Sequence, residues 1–253
     1  MKHKIIVFVL IFVLLAACGG AQPAEQAAEP TDIPATEPPP ATDTPIPPPP
    51  TETPQPGPEL VFEDDFEGEF GEGWSWVREE KNRWSLTEAP GYLQILLQPY
   101  GLGGGYPHNM LTREAPDYDF EIETLLVFEP RSNYQIAGLL LYQDEYNAVQ
   151  FGRAFCGNPN CVGNGLYYDN FIEGNFTGDN FAINIDNPSE VYLKVRRQGT
   201  IYTALYSEDG ENWIEMGAHD NMMALSSIGL IAGQSYEPAV LAKFDYFRLY
   251  QLP

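Results

Sequence analysis

Between Val191 and Arg196 apolar and polar side chains alternate, with Val191, Leu193 and Val195 set against Tyr192, Lys194 and Arg196. A period of two predicts a half-buried strand. Thr200 to Tyr206 continues the alternation, and Gln198-Gly199 predicts a tight turn between the two. Tyr118 to Phe128 starts with the same alternation and then runs apolar, as a strand entering a core does. Further strands are predicted over 91–97, 135–142, 146–153, 227–232 and 241–250, and one short helical turn over 221–226. Asp209-Gly210, inside "YSEDGENW" at 206–213, predicts a hairpin turn. Many strands, frequent Gly and Asn, and 15 Tyr with 14 Phe predict an all-β, two-sheet sandwich.

The N-terminal pattern is of another kind. A basic start, Met1-Lys2-His3-Lys4, precedes an apolar run from Ile5 to Ala17, and Leu15-Ala16-Ala17-Cys18 follows. The run is too short to span a bilayer comfortably. It resembles the bacterial lipoprotein signal, which implies lipidation of Cys18 and a place in the cell envelope outside the cytoplasmic membrane. The lipid is then the sole contact with that membrane. The expected division is a signal peptide over 1–17, a lipidated Pro/Thr-rich linker over 18–58, and one β-domain over 59–253. The linker has no aromatic residue and no Lys or Arg between 21 and 58. Its prolines and repelling acids predict an extended stalk with a reach of about 100 Å.

Charge and cysteines narrow the function classes. A net charge of −23 disfavours nucleic acid, whose binding needs a basic surface, and leaves neutral sugars and divalent cations open. The chain is expected to be a monomer. Of three cysteines, Cys156 and Cys161 flank Gly157-Asn158-Pro159-Asn160, four turn formers. In an exported chain this predicts a disulfide across a loop tip, since zinc would need four ligands and a thioredoxin-type pair two intervening residues.

Several motifs in a fixed order carry a wider resemblance: "FEDDF" at 62–66, "WSW" at 74–76, "APGYLQI" at 89–95 and "FEIETLLVFEP" at 120–130. "IAGLLLYQDEYNAVQF" at 136–151, "YSEDGENW", "IGLIAGQS" at 228–235 and "AKFDYFRLY" at 242–250 complete the set. Together they resemble the concanavalin A-like jelly-roll domain at the C-terminus of family 43 β-xylosidases. The resemblance covers 60–251 and implies two curved sheets, with a concave face that takes saccharide and a convex face that takes calcium. On the strands lining such a groove it points to Trp76, Arg78, Tyr142, Gln150 and Arg153, drawn from a wider set that includes Trp74, Trp84, Tyr100, Tyr106, His108 and Tyr146. First and last strands are neighbours in a jelly roll, so Asp64, Asp65 and Asp245 become candidate ligands of a structural calcium. The "YSEDGENW" turn is also similar to the Asp-box hairpin of sialidase-like proteins, in which Ser207 and Asp209 would bond the turn's own backbone over Trp213.

Catalysis has less support. Glycoside hydrolysis normally needs two positioned carboxylates. Related β-glucanases carry Glu-x-Asp-x-x-Glu on one strand; the nearest stretch is Glu121-Ile-Glu123-Thr-Leu-Leu126, with Glu at the middle position and no third acid. It reads as the polar face of a core strand. Gly233-Gln-Ser235-Tyr-Glu lacks the closing glycine of a nucleophile elbow, and "GLGGG" at 101–105 precedes neither lysine nor helix. The leading expectation is a surface lipoprotein with a carbohydrate-binding, non-catalytic jelly roll whose partner is a poly- or oligosaccharide. Two alternatives stay open: a hydrolase or hydrolase accessory acting on xylan-like polymer, and a structural or protein-interaction domain. No cofactor is expected beyond the candidate calcium.

Overall fold

In the computed structural model of the chain, residues 56–98, 109–177, 180–185, 189–233 and 240–253 are described. Strands are numbered β1 to β17 in chain order. One sheet holds nine: β1 (Glu59–Asp64), β3 (Trp84–Ser85), β4 (Leu93–Leu96), β6 (Phe120–Val127), β12 (Glu190–Gln198), β13 (Ile201–Ser207), β14 (Ile214–Asp220), β16 (Leu241–Phe244) and β17 (Phe247–Gln251). The other holds eight: β2 (Ser75–Val77), β5 (Met110–Glu114), β7 (Ile136–Asp144), β8 (Asn147–Cys156), β9 (Gly163–Ile172), β10 (Asn175–Phe176), β11 (Phe181–Asn184) and β15 (Ser227–Gly233). In the nine-stranded sheet the order is β14-β13-β12-β6-β16-β4-β3, with β17 also on β6 and β1 on β17. In the eight-stranded sheet it is β10-β9-β8-β7-β15-β5-β2, with β11 also on β9. The pairings among the described strands are antiparallel.

The core follows from the alternation. Phe120, Ile122 and Leu126 of β6 and Val191, Leu193 and Val195 of β12 pack against Ala137, Leu139 and Leu141 of β7 and Val149 and Phe151 of β8. The predicted strand over 241–250 is two strands, and the break has a packing reason. Phe244 stands opposite Leu126 and Arg248 opposite Glu123, so four steps on one strand match three on its neighbour. The extra residue is a bulge. It turns both Phe244 and Phe247 inward, where a regular strand would point one of them to solvent. Asp245 N–H donates to Leu125 O, and the Thr124 hydroxyl donates to Tyr246 O at 2.5 Å, closing the irregularity.

A buried carboxylate makes the corner between the two sheets. Asp64 accepts the Phe66 N–H at 2.9 Å, the Gly71 N–H at 2.8 Å and the Trp74 indole N–H at 2.7 Å. It thereby fixes the chain as it leaves β1 for β2. Phe66 sits at φ 54°, a left-handed conformation that these bonds hold in place. Trp74 packs edge-on to Phe62 and Phe247. The Arg113 guanidinium lies over the Phe62 ring at 3.2 Å; burial lowers its pKa, and the nearby Asp64 charge offsets part of that effect. Glu63 and Asp64 are thus the last two residues of the first strand.

Other local expectations can be checked against the backbone. Gly199 adopts φ 60° in the β12–β13 turn, and Gly210 φ 77° in the β13–β14 turn. There Asp209 Oδ1 accepts from the Ser207 hydroxyl and from the Glu211 and Asn212 N–H groups. Those bonds hold its carboxyl well below the usual range. Cys156 and Cys161 form the disulfide, at the end of β8. Residues 221–226 form no helical turn; they run as a coil pinned by Asn221 Oδ1 to Met223 N–H and by Gln143 Oε1 to Ala224 N–H.

Asp64→Ala strands three N–H donors beside a buried guanidinium. At about 1.5–3 kcal/mol per bond to a charged group, urea unfolding should show a loss of at least about 3 kcal/mol. Asp65→Ala, at an exposed position, should cost less than about 0.5 kcal/mol, and equal losses at the two sites would contradict this role for Asp64.

Candidate functional site

The registers of the eight-stranded sheet decide which side chains share its outer face. Ala137, Leu139 and Leu141 point to the core, so Leu140 and Tyr142 point away from it. One outer row runs Ser227, Tyr142, Ala148, Phe171 and Phe176 across β15, β7, β8, β9 and β10. The next runs Thr112, Gly229, Leu140, Gln150 and Asp169 across β5, β15, β7, β8 and β9. Gly138 and Gly152 stand side by side in the third row, and a methyl group on either would meet the facing backbone carbonyl of Phe151 or Ala137. Met110, Leu140, Ala148, Phe171 and Ile231 form a second apolar cluster on this face, each no more than 1% exposed.

Two features remain for a ligand. Phe176 is 58% exposed and its ring lies 4.3 Å from Phe171, extending the row that begins at half-buried Tyr142. Tyr146, 49% exposed, stands at the adjoining β7–β8 turn. Beside this aromatic row Gln150 Nε2 donates to Asp169 Oδ2 at 2.9 Å. Gln150 Oε1 is buried with no hydrogen-bond partner among the described residues. Burial pushes the Asp169 carboxyl up to about 6, against the opposing effect of the Gln150 bond.

The five sugar-contact candidates are not brought together. Tyr142 and Gln150 lie on the outer face. Arg78 sits just past β2 at φ 57° and pairs with Glu145 at 3.1 Å, close enough for its charge to act on the Tyr142 phenol. Trp76 and Arg153 face the core instead. Trp76 is opposite inward Leu111 and stacks on Trp84 at 5.0 Å, with Phe70 edge-on at 5.8 Å. Arg153 lies between inward Ala137 and Leu166 and is fully buried. Each is one strand position out of phase with the face its strand was expected to serve. Tyr100, Tyr106, His108 and the 101–105 loop lie outside the described residues. Asp169 and Phe171 were missed because "GNGLYYDNFI" mixes Gly, Asn and aromatics on both faces and shows no apolar-polar alternation, and Phe176 because its strand has only two residues.

The carboxylates of the catalytic and calcium readings have other employment. Glu121 Oε1 accepts Arg196 Nε at 2.6 Å. Lys194 bridges Glu121 and Glu123 at 3.5 and 3.2 Å, and the Tyr246 hydroxyl donates to Glu123 at 2.6 Å. Burial, then the Glu123 carboxylate, raises that phenol. Glu121 and Glu123 thus form the outer polar face of β6. All three hydrogen bonds to Asp64 come from protein N–H groups, so its oxygens are spent. Burial raises the Asp245 carboxyl, and the charge of Asp65 adds to the shift. Among the described residues no group of three or more His, Cys, Asp or Glu is placed to hold a metal ion, and Asp64, Asp65 and Asp245 form no such side-chain group.

Residues 63–249 match the β-xylosidase C-terminal concanavalin A-like domain. The chain belongs to this family. A xylan 1,3-β-xylosidase from a Vibrio species is 29% identical over 150 residues, which are 57% of this chain and 26% of that enzyme. The chain thus spans about a quarter of that relative's length. Among solved structures, the GH43 protein BlXynB of Bacillus licheniformis aligns with a TM-score of 0.67 at 20% identity, over 75% of this chain and 39% of its own. A xylan β-1,4-xylosidase of Bacillus halodurans aligns at 0.64 and 22% identity, over 81% and 41%. A B. licheniformis β-glucanase aligns at 0.54 and 9% identity over 77% of this chain and 99% of its own. At these identities the structures share the fold.

The Asp169 shift has a consequence for stability. Its folded value lies above the unfolded one near 3.8, so the folded state binds the extra proton between those values. Stability from this group is greatest below the unfolded value and falls as pH rises through about 6, by up to about 3 kcal/mol. Asp169→Asn, which keeps an acceptor for Gln150, should be more stable than the parent in urea at pH 8 and equal to it near pH 4. A difference that does not change with pH would contradict the assignment.

Proposed function

We propose that this family member is a non-catalytic polysaccharide-binding module that takes a xylan-type chain along the outer face of its eight-stranded sheet. The observation that carries the reading is the pair of accessible rings Tyr142 and Phe176, the latter seated on buried Phe171, beside the Gln150–Asp169 pair. Aromatic faces pack against the apolar faces of pyranose rings, and a planar amide–carboxyl pair matches ring hydroxyls that both donate and accept. Gln150 Oε1 supplies an acceptor awaiting a donor. Arg78 and Glu145, paired at the end of the row, offer charged hydrogen-bonding groups at its margin.

Xylan is the polymer class because relatives of this domain belong to enzymes named for it. Hydrolysis by this face is disfavoured: among the described residues of its two outer rows on β7 to β10 Asp169 is the one carboxylate, and glycoside hydrolysis needs a pair. The N-terminal Cys18 motif and the Pro/Thr-rich stretch fit a lipid-anchored module held outside the cytoplasmic membrane, gathering polymer for hydrolases nearby.

Calorimetry of the full chain with xylohexaose should show saturable binding. Phe176→Ala and Tyr142→Ala should each weaken it about ten-fold, whereas Trp76→Phe should leave it unchanged. Release of reducing sugar that disappears in Asp169→Asn would replace the binding module with an enzyme.

A further inference from the structure

A second polar cavity opens on the opposite side of β9, at the lateral edge where the two sheets part. Its volume is about 540 Å³, within the range of small-molecule sites, and it lies between β9, β10 and β11 of one sheet and β14 of the other. Asn170 organises it. Its side-chain oxygen accepts from Asn221 Nδ2 at 2.6 Å, its N–H donates to Asn180 Oδ1 at 2.8 Å, and its carbonyl accepts the Thr177 N–H at 3.0 Å. The amide groups are thus held in place before any ligand arrives, and the NH2 of Asn180 remains for one. Thr177 Oγ1 is buried without a hydrogen-bond partner among the described residues. Phe181 lines the cavity and stacks on Tyr168 with ring centroids 6.3 Å apart, so its orientation is fixed from behind.

The chemistry selects the ligand. Among the described lining residues there is no Lys or Arg, Asp220 is the one carboxylate, and His219 is buried with its Nε2 at the Tyr168 carbonyl, so an anion meets no permanent positive charge. A single exposed acid is also too little to hold a cation. Two fixed amides, a buried hydroxyl and one phenyl face suit a neutral, hydroxyl-rich ring. We propose that this cleft is a second saccharide subsite, which binds one sugar unit independently of the aromatic row. It rests on the reading of the domain as a xylan binder only for the identity of the sugar. With both subsites on β9 and its neighbours, the module would engage polymer on two sides and gain from bivalency.

The test is a titration of the full-length Tyr142→Ala protein with xylotriose, followed through the backbone amide resonances. Saturable shifts are expected at Thr177, Ala218 and His219, and adding Asn180→Ala should raise the dissociation constant for them about three- to ten-fold. Arabinose, mannose and cellotriose titrations repeat the measurement with other sugars. In the parent protein, saturable shifts confined to Ala148 and Phe171 would overturn the cleft and leave the aromatic row standing. Shifts at the cleft alone would overturn the row, and none at either place with any sugar would overturn both. Cleft shifts that survive Asn180→Ala at unchanged affinity would also overturn the subsite as drawn.

Discussion

The register of β7, β8 and β9 is the constraint on which the functional surface depends. Side chains of an extended strand alternate between two faces, so a slip of one residue would exchange them all. With Leu140 opposite Gln150 and Gln150 opposite Asp169, the polar pair is set among apolar neighbours and turned away from the core. The same register places Tyr142, Ala148 and Phe171 in line and leaves Gly138 and Gly152 adjacent. Backbones approach closely at those glycines, where any side chain would collide with a facing carbonyl. The register is held from the other side by Leu139, Leu141, Val149 and Phe151, whose burial would be lost in any slip.

Charge is managed on the opposite surface by a different device. Glu121, Glu123, Lys194 and Arg196 form an alternating network over β6 and β12, and Lys194 also sits 3.9 Å from the Trp213 ring. The acids there serve the sheet. The most buried carboxylates among the described residues, Asp64, Glu121 and Glu123, are each satisfied by protein donors. Asp169 differs, since its one hydrogen-bonding partner is itself left with an unfilled acceptor.

Much of the fold was legible from the pattern, because period-two alternation and turn chemistry are local. The β12–β13 hairpin, the Asp209-Gly210 turn and the Cys156–Cys161 disulfide follow from such signals, whereas the pairing of first and last strands comes from the family resemblance. The bulge at Asp245-Tyr246 was not legible, since it depends on the register of β6 against two different strands. Site residues were harder still. Strand assignment placed Trp76 and Arg153 on the right strands, but the phase of a strand is set by its neighbours. Arg153 offers the sharpest lesson: an arginine on a groove strand reads as a ligand contact, yet it lies fully buried between the sheets. β9 hid Asp169 and Phe171 because both its faces carry aromatic and polar groups.

Binding of a neutral polymer by an acidic domain then needs only an aromatic row and a few fixed hydrogen-bonding groups, as this face provides. The most direct test of that claim is a crystal structure of the protein soaked with xylohexaose. The account predicts sugar rings lying along Tyr142 and Phe176, with a hydroxyl within hydrogen-bonding distance of Gln150 Oε1. Saturating ligand that leaves this face empty, or occupies only the outer surface of the nine-stranded sheet, would contradict it.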